Sequence, residues 1–255
     1  MKGTSSAEPT IFERRVADPR ATVIFVHGAL DRAESFARMA RHLDEFDVVA
    51  YDRRGYQHSR DVAPVTLDNH VEDLLRVVNR EERGRAVIAF GHSFGGVVTW
   101  GAALRDPTRI NLVVNYEAPF PWLLRHDHPR PAPDDDPARE AELFFSRVVS
   151  AGAWSKLSAA QRDSRRRDGP ALLVDLREIR RAAPPYDLAK LRTPSTYVHG
   201  DGAHSNYYRR LGETLHSLNP EITAEEITDS DHSAHLRRAP ILSSLITEHW
   251  AVLCG

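Results

Sequence analysis

The sequence predicts an α/β fold: a mainly parallel sheet flanked by helices. Three observations carry that expectation. Short apolar runs alternate with helix-patterned stretches through the first half of the chain, and the alternation resumes near residue 195 after a long break. Strands separated by helices of roughly 10–15 residues imply right-handed crossovers and parallel neighbours. The length, 255 residues, suits one large domain or a domain carrying an insertion.

The elements follow in order. Ala21 to Val26 reads as a buried strand ending in His27-Gly28, and Ser35 to Leu43 as a short amphipathic helix. Asp47 to Tyr51 is a second strand, closed by the turn-rich Asp52-Arg53-Arg54-Gly55. Leu67 to Glu82 places Val71, Leu74, Leu75 and Val78 on one helical face. Ala86 to Phe90 is a strand, Val97 to Arg105 a helix, and Leu112 to Tyr116 another strand. The rhythm then stops. His126 to Pro137 reads as a loop rich in Pro, Asp and His. Ala138 to Ser150, Ser155 to Arg162 and Pro170 to Arg181 read as helices, and Pro184-Pro185 closes the block. Ser195 to Val198, a helix around Tyr207 to Leu218, a strand at Glu221 to Ile227 and a helix from Pro240 to Leu253 complete the chain. The division expected is a core of residues 1–118 and 194–255 with a helical cap at 119–193, on the sheet edge where such folds bind ligands.

Composition excludes several functions. A net charge of −2 gives no bulk field toward nucleic acid or a membrane surface. The single cysteine, Cys254, cannot form a disulfide within the chain, which fits a reducing compartment. Met1 to Thr10 lacks an apolar signal core, and no run approaches the ~20 apolar residues of a membrane span. The expectation is a soluble, cytoplasmic protein acting on a small molecule. No nucleotide loop appears, so no cofactor is expected. His126, Asp127 and His128 lack the rigid frame of a metal site, and no metal is expected.

Gly91-His92-Ser93-Phe94-Gly95-Gly96 carries the chemistry. It is a G-x-S-x-G motif between a strand and a helix, the setting of a nucleophile elbow. A serine needs a base, and the base needs an orienting carboxylate. His232 follows the last predicted strand and precedes the last helix, on the sheet edge of Ser93; His235 is the rival. The acid has two candidates. Asp201 lies in the turn after the penultimate strand, but directly behind Gly200, while the following positions hold Gly202 and Ala203. Glu117 ends the strand after the elbow and is preferred. The oxyanion donors expected are the backbone N–H groups of Phe94 and of Ala29, in His27-Gly28-Ala29-Leu30. Trp122, Phe144, Phe145 and Trp154 are expected beneath the cap, where an acyl pocket would lie.

With HGAL at 27–30, YDRRGYQHS at 51–59, GHSFGG at 91–96, NYEAP at 115–119 and DHSAHLRRAP at 231–240, the chain resembles the α/β-hydrolase superfamily. Gln57 stands where the family's D-x-R-G-x-G-x-S loop has its second glycine. The resemblance implies an eight-stranded sheet, a helical cap, and hydrolysis of an ester, thioester, amide or lactone through an acyl-serine. It also supports Glu117: haloalkane dehalogenases place a glutamate similarly after the elbow, and 24 residues separate Ser93 from Glu117. Their nucleophile is an aspartate, as in epoxide hydrolases, and serine argues against both chemistries. The function expected is a serine esterase. The alternatives are a thioesterase, lactonase or cyclase with the same triad, and a non-catalytic receptor on the same fold.

Overall fold

The computed structural model describes residues 9–63, 65–81, 84–124, 132–149, 152–181, 183–202 and 205–255. His126, Asp127 and His128 lie outside these residues.

The strands are β1 (Ile11–Arg14), β2 (Thr22–Val26), β3 (Asp47–Tyr51), β4 (Val87–His92), β5 (Leu112–Tyr116), β6 (Ser195–Gly200) and β7 (Ile222–Ile227). They form one sheet in the order β1-β3-β2-β4-β5-β6-β7. Every pairing is parallel except β1 with β3. The sheet therefore has seven strands among the described residues, not the eight that the resemblance implies. Only the short edge strand β1 precedes β2 there. Residues of β2, β3, β4, β5 and β6 are buried throughout, which explains why they read as continuous apolar runs.

The helices are α1 (Ala37–Ala40), α2 (Leu67–Glu81), α3 (Phe94–Arg105), α4 (Pro137–Val148), α5 (Ala159–Arg167), α6 (Gly169–Glu178), α7 (Ser205–Leu218), α8 (Ala234–Arg237) and α9 (Ala239–Cys254). One core lies where α2, α3 and α7 cover the sheet, with Leu74, Val78, Val98, Trp100 and Leu211 buried. A second core lies where α1 and α9 cover it, with Phe25, Phe36, Phe90, Leu242 and Ile246 buried. The segment expected as one helix over Ser35 to Leu43 is a 3-10 turn, Ala33–Phe36, followed by the single turn α1. No side chain caps either piece. No helix of the described residues is long and apolar enough to cross a membrane.

Helices α4, α5 and α6 are inserted between β5 and β6. Ala141, Leu172 and Leu176 of the insertion pack with Leu30 of the core, and Phe144 packs against them. This contact roofs the carboxyl edge of the sheet, where β2, β4, β5 and β7 deliver their loops.

Candidate active site

Ser93 occupies the junction of β4 and α3 with φ 51 and ψ −124. A non-glycine residue pays roughly 1–3 kcal/mol to stay there, so the surroundings must hold it. They do so by close approach. A Cβ on Gly95 would lie 2.0 Å from the carbonyl oxygen of Val26, and one on Gly91 would lie 2.5 Å from Asn115 Oδ1. The Ser93 N–H donates to the carbonyl of Tyr116 at 2.9 Å. Phe94 opens α3, so its N–H belongs to the unsatisfied first turn, where the helix field favours negative charge. Leu30, Glu117 and Asp229 also have positive φ, and each sits in a loop bordering the same edge.

Glu117 is 3% exposed at the end of β5. Its Oε1 accepts from the N–H of Gly200 at 3.1 Å, and its Oε2 lies 2.7 Å from Nδ1 of His232. Nδ1–H of His232 donates to this carboxylate, so the proton stays on Nδ1 and Nε2 is left as the basic nitrogen. Asp201 lies elsewhere. Its two carboxylate oxygens accept from the N–H groups of Ser230 and Asp229, at 2.9 and 3.0 Å. It braces the backbone of the loop carrying His232. Tyr116 adds to that brace, donating its hydroxyl to the Asp231 carbonyl at 2.7 Å. His235 is in α8, with its Nε2 3.2 Å from Asp31 Oδ2.

A cavity of about 340 Å³ brings together Ala29, Ser93, Phe94 and His232. Tyr208 of α7 also lines it, as do Phe144, Arg147 and Val148 of α4 and Asp175 and Leu176 of α6. The four aromatic residues expected under the cap separate here. Phe144 lines the cavity. Phe145 and Trp154 pack edge to face on each other, with ring centroids 5.7 Å apart. Trp122 stacks edge-on against Phe120 and Tyr186 instead. Phe145 and Trp154 are therefore internal packing of the insertion, and Trp122 extends the core.

Sequence reasoning passed over Arg53 and Asp175. Arg53 is fully buried. Its Nε donates to the His27 carbonyl at 2.9 Å, and its terminal nitrogens donate to the Gly28 carbonyl at 3.2 Å and to Asp175 Oδ2 at 2.6 Å. It also donates to His70 Nε2 at 3.0 Å. Tyr56 gives its hydroxyl to Asp175 Oδ2 at 2.6 Å. The guanidinium lies 4.8 Å from the ring centroid of Phe94. One buried cation thus ties the inserted α6 to both loops proposed to supply oxyanion donors. Burial alone would raise the Asp175 pKa, but Arg53 holds it well below the usual carboxylate range. His70 is lowered to about 4 by burial and by Arg53. His27 is lowered to about 4 for the same two reasons. Its Nε2 accepts from the Arg53 N–H at 2.9 Å, and its Nδ1 donates to the Gly28 carbonyl at 2.7 Å. That neutral ring fixes the turn holding Ala29. The missed signal was the second half of the contact: Asp175 is 122 residues from Arg53.

Fold and site define an α/β-hydrolase. The sequence profile of the alpha/beta hydrolase family matches residues 23–243, and the chain belongs to that family. Among curated relatives, "Lipase LipV" of Mycobacterium tuberculosis is 33% identical over 94 residues, 37% of this chain and 36% of that protein. The "(R)-3-hydroxydecanoyl-ACP:CoA transacylase" of Pseudomonas aeruginosa is 33% identical over 115 residues, 42% of this chain and 37% of that protein. The matched stretches thus span little more than a third of either relative. A lipase-esterase related protein from Clostridium acetobutylicum superposes with a TM-score of 0.74 at 14% identity, covering 95% of this chain and 100% of that one. A bromoperoxidase from Bacillus anthracis gives 0.72 at 22% identity, covering 94% of each chain. These likenesses show the fold.

Proposed function

We propose that this hydrolase cleaves a small or medium carboxylic ester through an acyl-serine intermediate. His232 Nε2 takes the Ser93 hydroxyl proton as Oγ attacks the ester carbonyl. The N–H groups of Ala29 and Phe94 hold the resulting oxyanion. Collapse expels the alcohol, which takes the proton back from His232. A water molecule, deprotonated by the same nitrogen, then attacks the acyl-serine and releases the acid. Glu117 holds the imidazole in the tautomer that leaves Nε2 basic, and stabilises the imidazolium when it forms. The observation that carries this reading is the 2.7 Å contact between His232 Nδ1 and Glu117 Oε2, on the rim of a cavity that Ser93 also lines.

The cavity volume suits a compact substrate. Phe144, Leu176 and Ile179 give one wall an apolar surface, so the acyl or alcohol carbon chain packs there. The test is turnover of short-chain p-nitrophenyl esters by the purified protein and by Ser93→Ala. Turnover is expected in the first and none above background in the second; equal rates in the two would overturn the proposal.

The relative named as an ACP:CoA transacylase favours a second reading, acyl transfer from a thioester to the same serine. A panel of matched esters and thioesters, ranked by kcat/KM, separates the two.

A further inference from the structure

Behind Ser93 lies a group of ionisable side chains that the proposed reaction does not use. Asp31 Oδ2 is 3.2 Å from His235 Nε2 and 3.6 Å from His92 Nδ1. The three atoms lie within 4.8 Å of one another. His92 is 5% exposed and His235 3%. Asp31 Oδ2, His92 Nδ1 and both ring nitrogens of His235 are buried without a hydrogen bond of acceptable geometry.

The direction of the lone pairs decides what this group can hold. His92 Nε2 lies 2.9 Å from the carbonyl of His232. A carbonyl only accepts, so Nε2 carries the proton, and Nδ1 of the neutral ring turns its lone pair toward the Asp31 carboxylate. Two electron-rich atoms facing each other in a buried site repel unless a cation stands between them. Donors around a tetrahedral zinc ion are about 3.3 Å apart, given bonds of about 2.0–2.1 Å. The two separations to Asp31, 3.2 and 3.6 Å, bracket that edge, and the two ring nitrogens, within 4.8 Å of each other, would close on the ion as it binds. The outer contacts also match those of metal ligands, which are oriented by hydrogen bonds from their far side. His92 donates to a backbone carbonyl, and the Ser35 hydroxyl donates to Asp31 Oδ1. The Asp31 side chain keeps 17% exposure, which gives an ion a way in.

We propose that Asp31 Oδ2, His92 Nδ1 and His235 Nε2 form a binding site for a divalent transition-metal ion of zinc-like ligand preference. Three protein donors leave one position for water. The ion would join three elements: the loop after β2, the elbow at the end of β4, and the first turn of α8. It takes no part in ester cleavage. It clamps the backbone on which Ser93 and His232 sit.

The test uses the full-length protein, stripped with a chelator and titrated with ZnCl2 by calorimetry. One ion per chain is expected, with a rise in unfolding temperature. Asp31→Asn and His235→Gln should each weaken binding at least about tenfold, and Ser35→Ala should weaken it by about tenfold through the outer contact. Because a buried substitution can unfold the chain, crystals of the unaltered protein soaked in ZnCl2 supply an independent reading. An anomalous peak among the three donor atoms supports the site. Zinc found only on surface histidines, no bound zinc, or full affinity in folded Asp31→Asn and His235→Gln would overturn it.

Discussion

Glu117 and His232 meet at 2.7 Å although 115 residues separate them in the chain. Asp201, the other candidate acid, has both oxygens engaged by the backbone of residues 229 and 230. The two acids therefore predict different losses. Glu117→Gln keeps the shape but favours the wrong imidazole tautomer, and kcat should fall by about 10³–10⁴-fold. Asp201→Asn retains one acceptor and should cost less than about tenfold. Ester turnover of the two variants side by side decides between them; a reversed ranking would move the acid to 201.

Arg53 and Asp175 form an ion pair with both side chains at most 1% exposed. Asp175→Ala leaves the guanidinium buried without its counter-ion, and the predicted cost is about 3–5 kcal/mol, read from the urea midpoint. Activity should fall as well, because Arg53 also holds the carbonyls of His27 and Gly28. A loss under 1 kcal/mol, with normal turnover, would show that the pair does not brace this loop (about 1 kcal/mol being the range of an exposed pair).

Acid should weaken the fold before the carboxylates titrate. His27 and His70 have folded pKa values of about 4, against 6.5 for the free side chain. Between those values the unfolded chain binds more protons than the folded one, so stability falls as pH falls. The urea midpoint should drop steadily from about pH 7 to about pH 4.5. His70→Asn should flatten the slope, and a flat profile for the unaltered protein would contradict the assignment.

Phe144 and Phe145 are neighbours with different jobs. Phe144 lines the cavity, whereas Phe145 is 9% exposed against Trp154. Phe144→Ala should raise KM and shift the preferred acyl length, at a smaller cost in stability than the loss of the buried neighbouring ring. Phe145→Ala should cost about 3–5 kcal/mol of stability and leave the chain-length profile alone. Chain-length series on both variants, paired with thermal melts, check this.

The sequence was most legible where pattern is local. β3 and β5 have the predicted bounds because each is a continuous buried run. The elbow was readable because its glycines are required by close approach to β2 and β5. Helix α5 begins at Ala159 rather than Ser155 because Ser158 and Gln161 form a capping box, a signal present in the sequence and passed over. Strand β1 is short and half-exposed, so its apolar content is slight. What the sequence hid is non-local: which aromatic residues of the insertion face the cavity, and that Arg53 reaches an aspartate 122 residues away.

In the proposed reaction Ser93 becomes nucleophilic because His232, steadied by Glu117, removes its proton. Intact-protein mass spectrometry with a fluorophosphonate probe, followed by peptide mapping, tests it most directly. One adduct is expected, on Ser93, absent in Ser93→Ala and strongly slowed in His232→Ala. An unlabelled native protein, or an adduct on another residue, would contradict it.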